Sequence, residues 1–128
     1  MKRFAFRLEK VLKLRSHAEN DAKAELGRAL SDLSRIESRL DDLAAAQKTA
    51  WEQRFSGGMS ARKLYSYENY LQRLEAEKQQ LLKEAAAAAG EVEKARELWA
   101  EARAGLKVME NLKEKKYADY RKESNAEE

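Results

Sequence analysis

The chain has 128 residues, of which 38% are charged, and it contains no proline, no cysteine and only five glycines. This composition is typical of long helices and coiled coils, and the formal net charge is only +3. The absence of cysteine excludes a disulfide framework and thiolate metal ligands, and no segment approaches the roughly 18 consecutive apolar residues of a membrane-spanning helix.

The first predicted element is a helix from about residue 2 to 54. The basic opening segment has no apolar stretch of the kind found in secretory signals, so we expect a cytoplasmic protein. Core-type positions recur in steps of three and four, with two successive steps of four at Ala18, Ala22 and Leu26 that indicate a stutter. The stripe comprises Phe4, Leu8, Val11, Arg15, Ala18, Ala22, Leu26, Ala29, Leu33, Ile36, Leu40, Leu43, Gln47 and Ala50.

A turn is predicted at residues 55–59, because adjacent Gly57 and Gly58 interrupt helical structure and permit a tight reversal. Ser60 is a suitable N-cap for a second helix from about residue 60 to 123, with a frayed tail at 124–128. Fourteen of its seventeen core-type positions are apolar, which indicates a coiled-coil seam. They are Leu64, Tyr67, Leu71, Leu74, Lys78, Leu81, Ala85, Ala88, Val92, Ala95, Trp99, Ala102, Leu106, Met109, Lys113, Lys116 and Tyr120.

Two stripes joined by one short turn predict an all-α fold, a single long two-helix antiparallel coiled-coil hairpin over residues 1–128. A reversal centred near residue 57 pairs residues whose numbers sum to roughly 114. Leu40 is then expected opposite Leu74, and Arg15 opposite Trp99, where a cation–π contact becomes possible.

No catalytic motif is present, and a two-helix rod offers little interior for a substrate, so we expect no enzymatic activity and no cofactor. The lone His17 has Asp21 one turn further on, a weak metal-binding pattern. A solvated surface histidine is the better interpretation, so no metal site is expected. The carboxylate pair Asp41 and Asp42 is interpreted in the same way.

Basic residues concentrate at the two ends of the chain. Residues 1–15 carry six basic side chains and one acidic, and residues 107–122 carry six basic and three acidic. A hairpin brings these stretches to one end, which suggests a partner-binding surface. Two alternatives are a nucleic-acid-binding or membrane-binding surface, and a third is simple solvation of charged helix faces.

Aromatic residues concentrate around the predicted turn, at Trp51, Phe55, Tyr65 and Tyr70. They either form a docking surface or pack locally to rigidify the turn. Counting about 1.5 Å per residue places them roughly 70 Å from the basic end of the predicted hairpin.

Three segments carry a family resemblance. They are FAFRLEKVLKLR at residues 4–15, MENLKEKK at residues 109–116, and the Tyr70-Leu71 pair soon after the glycine turn. In these segments, and in its overall plan of a small basic cysteine-free helical hairpin, the chain resembles the FliJ family, the stalk proteins of the flagellar type III export apparatus.

The resemblance implies a nonenzymatic coupling stalk, similar to the coiled-coil part of the rotary ATPase γ subunit. Implied partners are the hexameric flagellar export ATPase, the cytoplasmic domain of the export gate, and export chaperones. The chain would then be a monomer when free and peripheral to the inner face of the membrane through its partners. The charge concentration and the end motifs together assign ATPase binding to Arg3, Phe4, Arg7, Leu8, Met109, Lys113, Lys115 and Lys116. The turn aromatics, at the other end of the predicted hairpin, are assigned to gate binding. A self-associating structural coiled coil remains an alternative.

Overall fold

The structure is a computed structural model that describes residues 3–54 and 57–127. Two helices account for almost all of this part, α1 (Glu9–Arg54) and α2 (Ala61–Glu127), and the described residues contain no strand. The predicted all-α two-helix hairpin is therefore confirmed. Neither helix, within the described residues, has a stretch long and apolar enough to cross a membrane.

Helix α1 begins at Glu9, later than the start near residue 2 that the sequence predicted. Residues 3–6 are not helical, and the first bonds of the helical ladder join Glu9 N to Phe6 O and Leu12 N to Leu8 O. Basic side chains oppose the partial positive charge of a helix N-terminus, whereas an acidic one is favourable there. Arg3 and Arg7 thus disfavour an earlier start, and Glu9 lies in the first turn.

The reversal depends on Gly58, whose φ of 84° lies in the left-handed region that side chains disfavour. Ser60 caps the following helix, as predicted, because its Oγ accepts a hydrogen bond from Lys63 N at 3.3 Å. Phe55 and Ser56, which belong to the predicted turn, lie outside the described residues.

Helix α2 continues to Glu127, past the point where the sequence predicted a frayed tail. Its last turns lie beside the non-helical segment 3–8, since residues from both line one groove, and Ser124 is half-buried. Acidic side chains near a helix C-terminus are unfavourable because that end carries partial negative charge, and contact with residues 3–8 supports the last turns of α2 against this effect.

The chain divides into two compact units. Unit one joins the segment up to Arg28 to the segment from Glu93 onward, and unit two is Ala29–Val92. The buried residues are few and apolar, as a single seam between two helices allows. They are Ile36, Leu43, Ala50, Leu74 and Val92 in unit two, and Ala95 in unit one.

In unit two, polar pairs on both sides of the seam join the helices in antiparallel order. Arg39 Nη2 donates to Glu77 Oε1 at 2.7 Å. Gln47 Nε2 donates to Glu75 Oε2 at 3.0 Å. Closer to the turn, Arg54 forms an ion pair with Glu68, and Tyr67 Oη donates to Gln53 Oε1 at 3.0 Å. These pairs fix the register beside the apolar stripe.

In unit one, the stripe of α1 differs from the prediction. Leu12, Ser16 and Glu19 are half-buried, whereas Val11, Arg15 and Ala18 are exposed. Ser16, Glu19 and Ala22 follow in two steps of three, in place of the predicted two steps of four. Apolar spacing alone missed this change because the seam here includes polar side chains, of which Glu19 accepts a hydrogen bond from Trp99 of α2.

The register also differs from the prediction. Cross-helix partners have numbers that sum to between 116, for Arg39 with Glu77, and 122, for Glu9 with Lys113, and not to about 114. Helical side chains point back toward the N-terminus of their own helix. In an antiparallel pair this tilt joins residues that each lie about one position further along the chain, which raises the sum by about two and accounts for the lower end of this range.

Candidate functional site

The N-terminal segment and the end of α2 meet through aromatic rings in unit one. The Phe4 ring lies 5.1 Å from Tyr117 in an edge-to-face arrangement and 5.4 Å from Tyr120, measured between centroids. Tyr117 and Tyr120 stack on each other at 6.2 Å. Such pairs contribute about 0.5–1.5 kcal/mol each beyond the area they bury. The cluster therefore holds the two ends of the chain together, as the predicted basic end requires.

Lys113 belongs to the predicted ATPase-binding set and forms an ion pair within the chain. Lys113 Nζ lies 2.9 Å from Glu9 Oε2, so this charge already has an internal counter-ion. The register predicted from the sequence did not place these two residues opposite each other, so apolar spacing gave no signal for this pair. Lys113 thus contributes to joining the ends, and less to a charged surface.

A groove of about 1130 Å³ lies between the N-terminal segment and the last turns of α2. Its charged lining is mixed, because acidic side chains of α2 lie along it together with the basic ones. The charged residues are Arg3, Arg7, Lys116, Asp119, Glu123 and Glu127. The predicted basic end is thus a polar groove of both signs and not a uniform cationic surface.

The other residues of the predicted ATPase-binding set differ in accessibility. Arg3, Arg7, Lys115 and Lys116 are exposed, whereas Met109 is half-buried at the seam. Leu8 lines the same groove as Arg3 and Arg7 and is also exposed. Four cations and one leucine of this set are therefore available to a partner.

The turn aromatics have separate environments in unit two. Trp51 is 51% exposed, and the guanidinium of Arg54 lies 5.0 Å from its ring centroid. Tyr65 is 69% exposed, two residues before the half-buried Tyr67, on the outward face of α2. Phe55 lies outside the described residues.

Tyr70 lies on the other side of the seam from Trp51. It borders a groove with Ala46, Thr49 and Gln53, whereas Trp51 shares its side of α1 with Arg54 and thus with Glu68. Arg73 lies over the Tyr70 ring at 5.8 Å. The structure therefore does not join Trp51 and Tyr70 in one surface.

Sequence reasoning gave Trp99 the wrong neighbours. Its Nε1 donates to Glu19 Oε1 at 3.0 Å, and Arg103, not Arg15, lies over its ring at 5.3 Å. Arg15 lies instead against Gly105, where its Nη1 is 3.1 Å from the position of an added Cβ. The register shift described above accounts for the difference.

Surface electrostatics are local. Hydrogen bonds from Gln79 and Gln47, with the charge of Lys78, lower the pKa of Glu75, and a hydrogen bond to Glu77 raises the pKa of Arg39. Within residues 3–54 and 57–127, no three His, Cys, Asp or Glu side chains form a group that could hold a metal ion. The arrangement is suited to binding partners through exposed side chains.

Comparison with known proteins identifies the chain at the level of the family. Residues 4–128 match the family described as Flagellar FliJ protein. No curated protein and no solved structure shows significant similarity. Because the match covers essentially the whole chain, this protein belongs to the FliJ family, whose members are components of the flagellar export apparatus.

Proposed function

We propose that the chain is a nonenzymatic coupling stalk of the flagellar protein export apparatus. In this proposal the basic end in unit one binds the hexameric export ATPase, and the turn in unit two contacts the cytoplasmic domain of the export gate. Export chaperones are further partners, and these contacts hold the protein at the inner face of the membrane.

The observation that supports ATPase binding most strongly is the joining of the two chain ends in unit one. Phe4 packs on Tyr117 and Tyr120, and the Glu9–Lys113 ion pair lies beside this cluster. The family-like end segments thereby form one surface. Their exposed cations can pair with carboxylates of a partner, since charge-assisted hydrogen bonds are stronger than neutral ones.

The test of this contact is a binding measurement with the cognate export ATPase. The double variant Arg7→Glu and Lys115→Glu reverses two exposed charges of the basic end. The control reverses Lys48 and Lys83, which are exposed in unit two, and avoids the half-buried Lys78. We expect the first variant to bind at least tenfold more weakly, equivalent to about 1.4 kcal/mol, and the control to bind normally. Equal losses would refute the assignment.

The gate contact is supported by exposure near the turn. Tyr65 projects outward with no role in the seam, so removal of its ring changes a docking surface without opening the core. Trp51 and Tyr70 lie on opposite sides of the seam and give two alternative extensions of that surface.

Single alanine variants of Tyr65, Trp51 and Tyr70, assayed against the gate domain, separate docking from local packing. If these rings dock on the gate, Tyr65→Ala should bind the gate domain more weakly, and so should either Trp51→Ala or Tyr70→Ala. The melting temperature and the affinity for the ATPase should not change. Unchanged gate affinity in all three variants would show that the ring surfaces take no part in binding.

A further inference from the structure

A second stripe runs along the start of α1 in unit one, at the edge of the seam with α2. Leu8, Val11, Arg15 and Ala18 keep steps of three and four, yet all four are exposed. A heptad repeat normally places a stripe against a partner helix. Here the neighbouring positions Leu12, Ser16 and Glu19 are half-buried instead, and the heptad stripe lies at the edge of the seam, where Arg15 meets Gly105 of α2.

Helix α2 carries a matching outer stripe. Leu98, Glu101, Gly105, Val108 and Leu112 also follow in steps of three and four. Leu98 is 61% and Val108 64% exposed, and these two apolar residues belong to one heptad-spaced row. Its members Gly105 and Leu112 are half-buried at the edge of the seam, which is formed here by Trp99, Ala102, Leu106 and Met109.

Two contacts place the outer stripes on the same side of the seam. Arg15 of α1 lies against Gly105 of α2, and the missing side chain at Gly105 leaves room for the guanidinium. Leu8 and Leu112 line one groove. The two stripes therefore lie side by side along unit one, and the strip of surface between them is here called the trough. Two helices of a three-helix coiled coil present such a strip to the third.

Charge on the α1 side of the trough is basic. Between residues 3 and 18 the only acidic residue is Glu9, and Lys113 is its partner across the seam. Arg15, one turn beyond Val11, is exposed on the side of the trough. The α2 side is mixed, with Glu101 in its stripe. The complementary ligand has apolar residues at heptad spacing and acidic residues on the flank beside α1.

We propose that unit one binds an acidic amphipathic α-helix of a partner protein as the third strand of a coiled coil, in the trough bordered by Val11 and Val108. This site goes beyond the proposed ATPase contact, because neither valine belongs to that surface and the proposal holds whichever protein supplies the helix. A second copy of this chain fits less well, since it would bring like-charged basic segments together.

The test uses the full chain and a synthetic helical peptide of four heptads, with leucine at the core positions and glutamate on one flank. A peptide of the same composition with shuffled core positions is the peptide control. The variant is Val11→Gln with Val108→Gln. The matched control is Leu30→Gln with Leu82→Gln, two leucines of unit two that are 41% and 44% exposed.

We expect the peptide to bind with a gain in helical circular dichroism, the shuffled peptide not to bind, and high salt to weaken binding. The valine variant should lose at least about tenfold in affinity and the leucine variant none, with both melting normally. Equal affinities of the two variants would overturn the proposal.

Two further results would also overturn it. Tighter binding to vesicles of anionic phospholipid than to the peptide, lost in the valine variant, would assign the trough to a membrane surface. A dimer in light scattering that the valine variant abolishes would assign it to a second copy of the chain.

Discussion

Leu74 provides the most direct test of the seam, through the substitution Leu74→Asp. Leu74 is buried on the face of α2 that meets α1 in unit two. Loss of its apolar side chain costs about 2 kcal/mol. Leaving a carboxylate without a partner in the same place costs about 1–3 kcal/mol or more.

Lys78, one turn further along α2, offsets only about 0.5 kcal/mol of this cost as an i,i+4 ion pair. The net loss is about 2.5–4.5 kcal/mol, a large share of the stability of an ordinary domain. Burial also raises the pKa of the introduced carboxyl group, so the substitution destabilises least at acid pH, where that group is neutral, and most above its folded pKa.

The assay is thermal and urea unfolding followed by circular dichroism. Leu82→Asp is the matched control, because Leu82 lies on the same helix and is 44% exposed. We expect the control to lose less than about 1 kcal/mol. If both variants unfold at the same midpoint, Leu74 does not lie in the seam and the register described above is wrong.

Three further predictions concern the turn, a charge and the aromatic cluster. Gly58→Ala should destabilise by about 1–2 kcal/mol because of its positive φ, whereas Gly57→Ala should be near neutral, as measured by urea unfolding. Glu75→Gln should remove part of the pH dependence of stability. The lowered pKa of Glu75 stabilises the fold above the pKa of the unfolded state, and this contribution is lost as pH falls through the pKa of the folded state. Between about pH 5 and 3 the melting temperature should therefore fall more in the parent protein than in the variant. Phe4→Ala removes two ring contacts and should speed amide hydrogen exchange in the last turns of α2, whereas unchanged exchange there would show that the ring does not support them.

The α2 stripe was predictable because its seam is apolar and regular. Leu71, Leu74, Leu81, Val92 and Ala95 all lie on the half-buried or buried face. The stripe deviates only near its ends, where Leu64 and Lys116 are exposed. An apolar repeat of 3.5 residues has one geometric solution, so sequence is sufficient there.

The first turns of α1 were not predictable in the same way. Val11 and Leu12 are adjacent apolar residues, and spacing alone favours Val11, which the structure exposes. Polar contacts decide the orientation, because Glu9 pairs with Lys113 and Glu19 accepts from Trp99. A count of apolar residues contains no information on such cross-helix pairs.

For the candidate surfaces, the sequence predicted which residue types are concentrated in a segment but not how those residues are arranged in space. The excess of basic residues at the chain ends is evident from the sequence, but the acidic residues that share their groove depend on the packing of residues 3–8 along α2. Likewise, four aromatics near one turn suggest one surface, whereas helical phase places Trp51 and Tyr70 on opposite sides of the seam.

The central claim is that the chain couples the export ATPase through its basic end. Hydrogen–deuterium exchange of the full chain, with and without the cognate ATPase, tests it in one measurement. We expect protection of amides in residues 3–15 and 107–122, with exchange around Tyr65 unchanged. Protection confined to the residues around the turn, with the two chain ends unaffected, would contradict it.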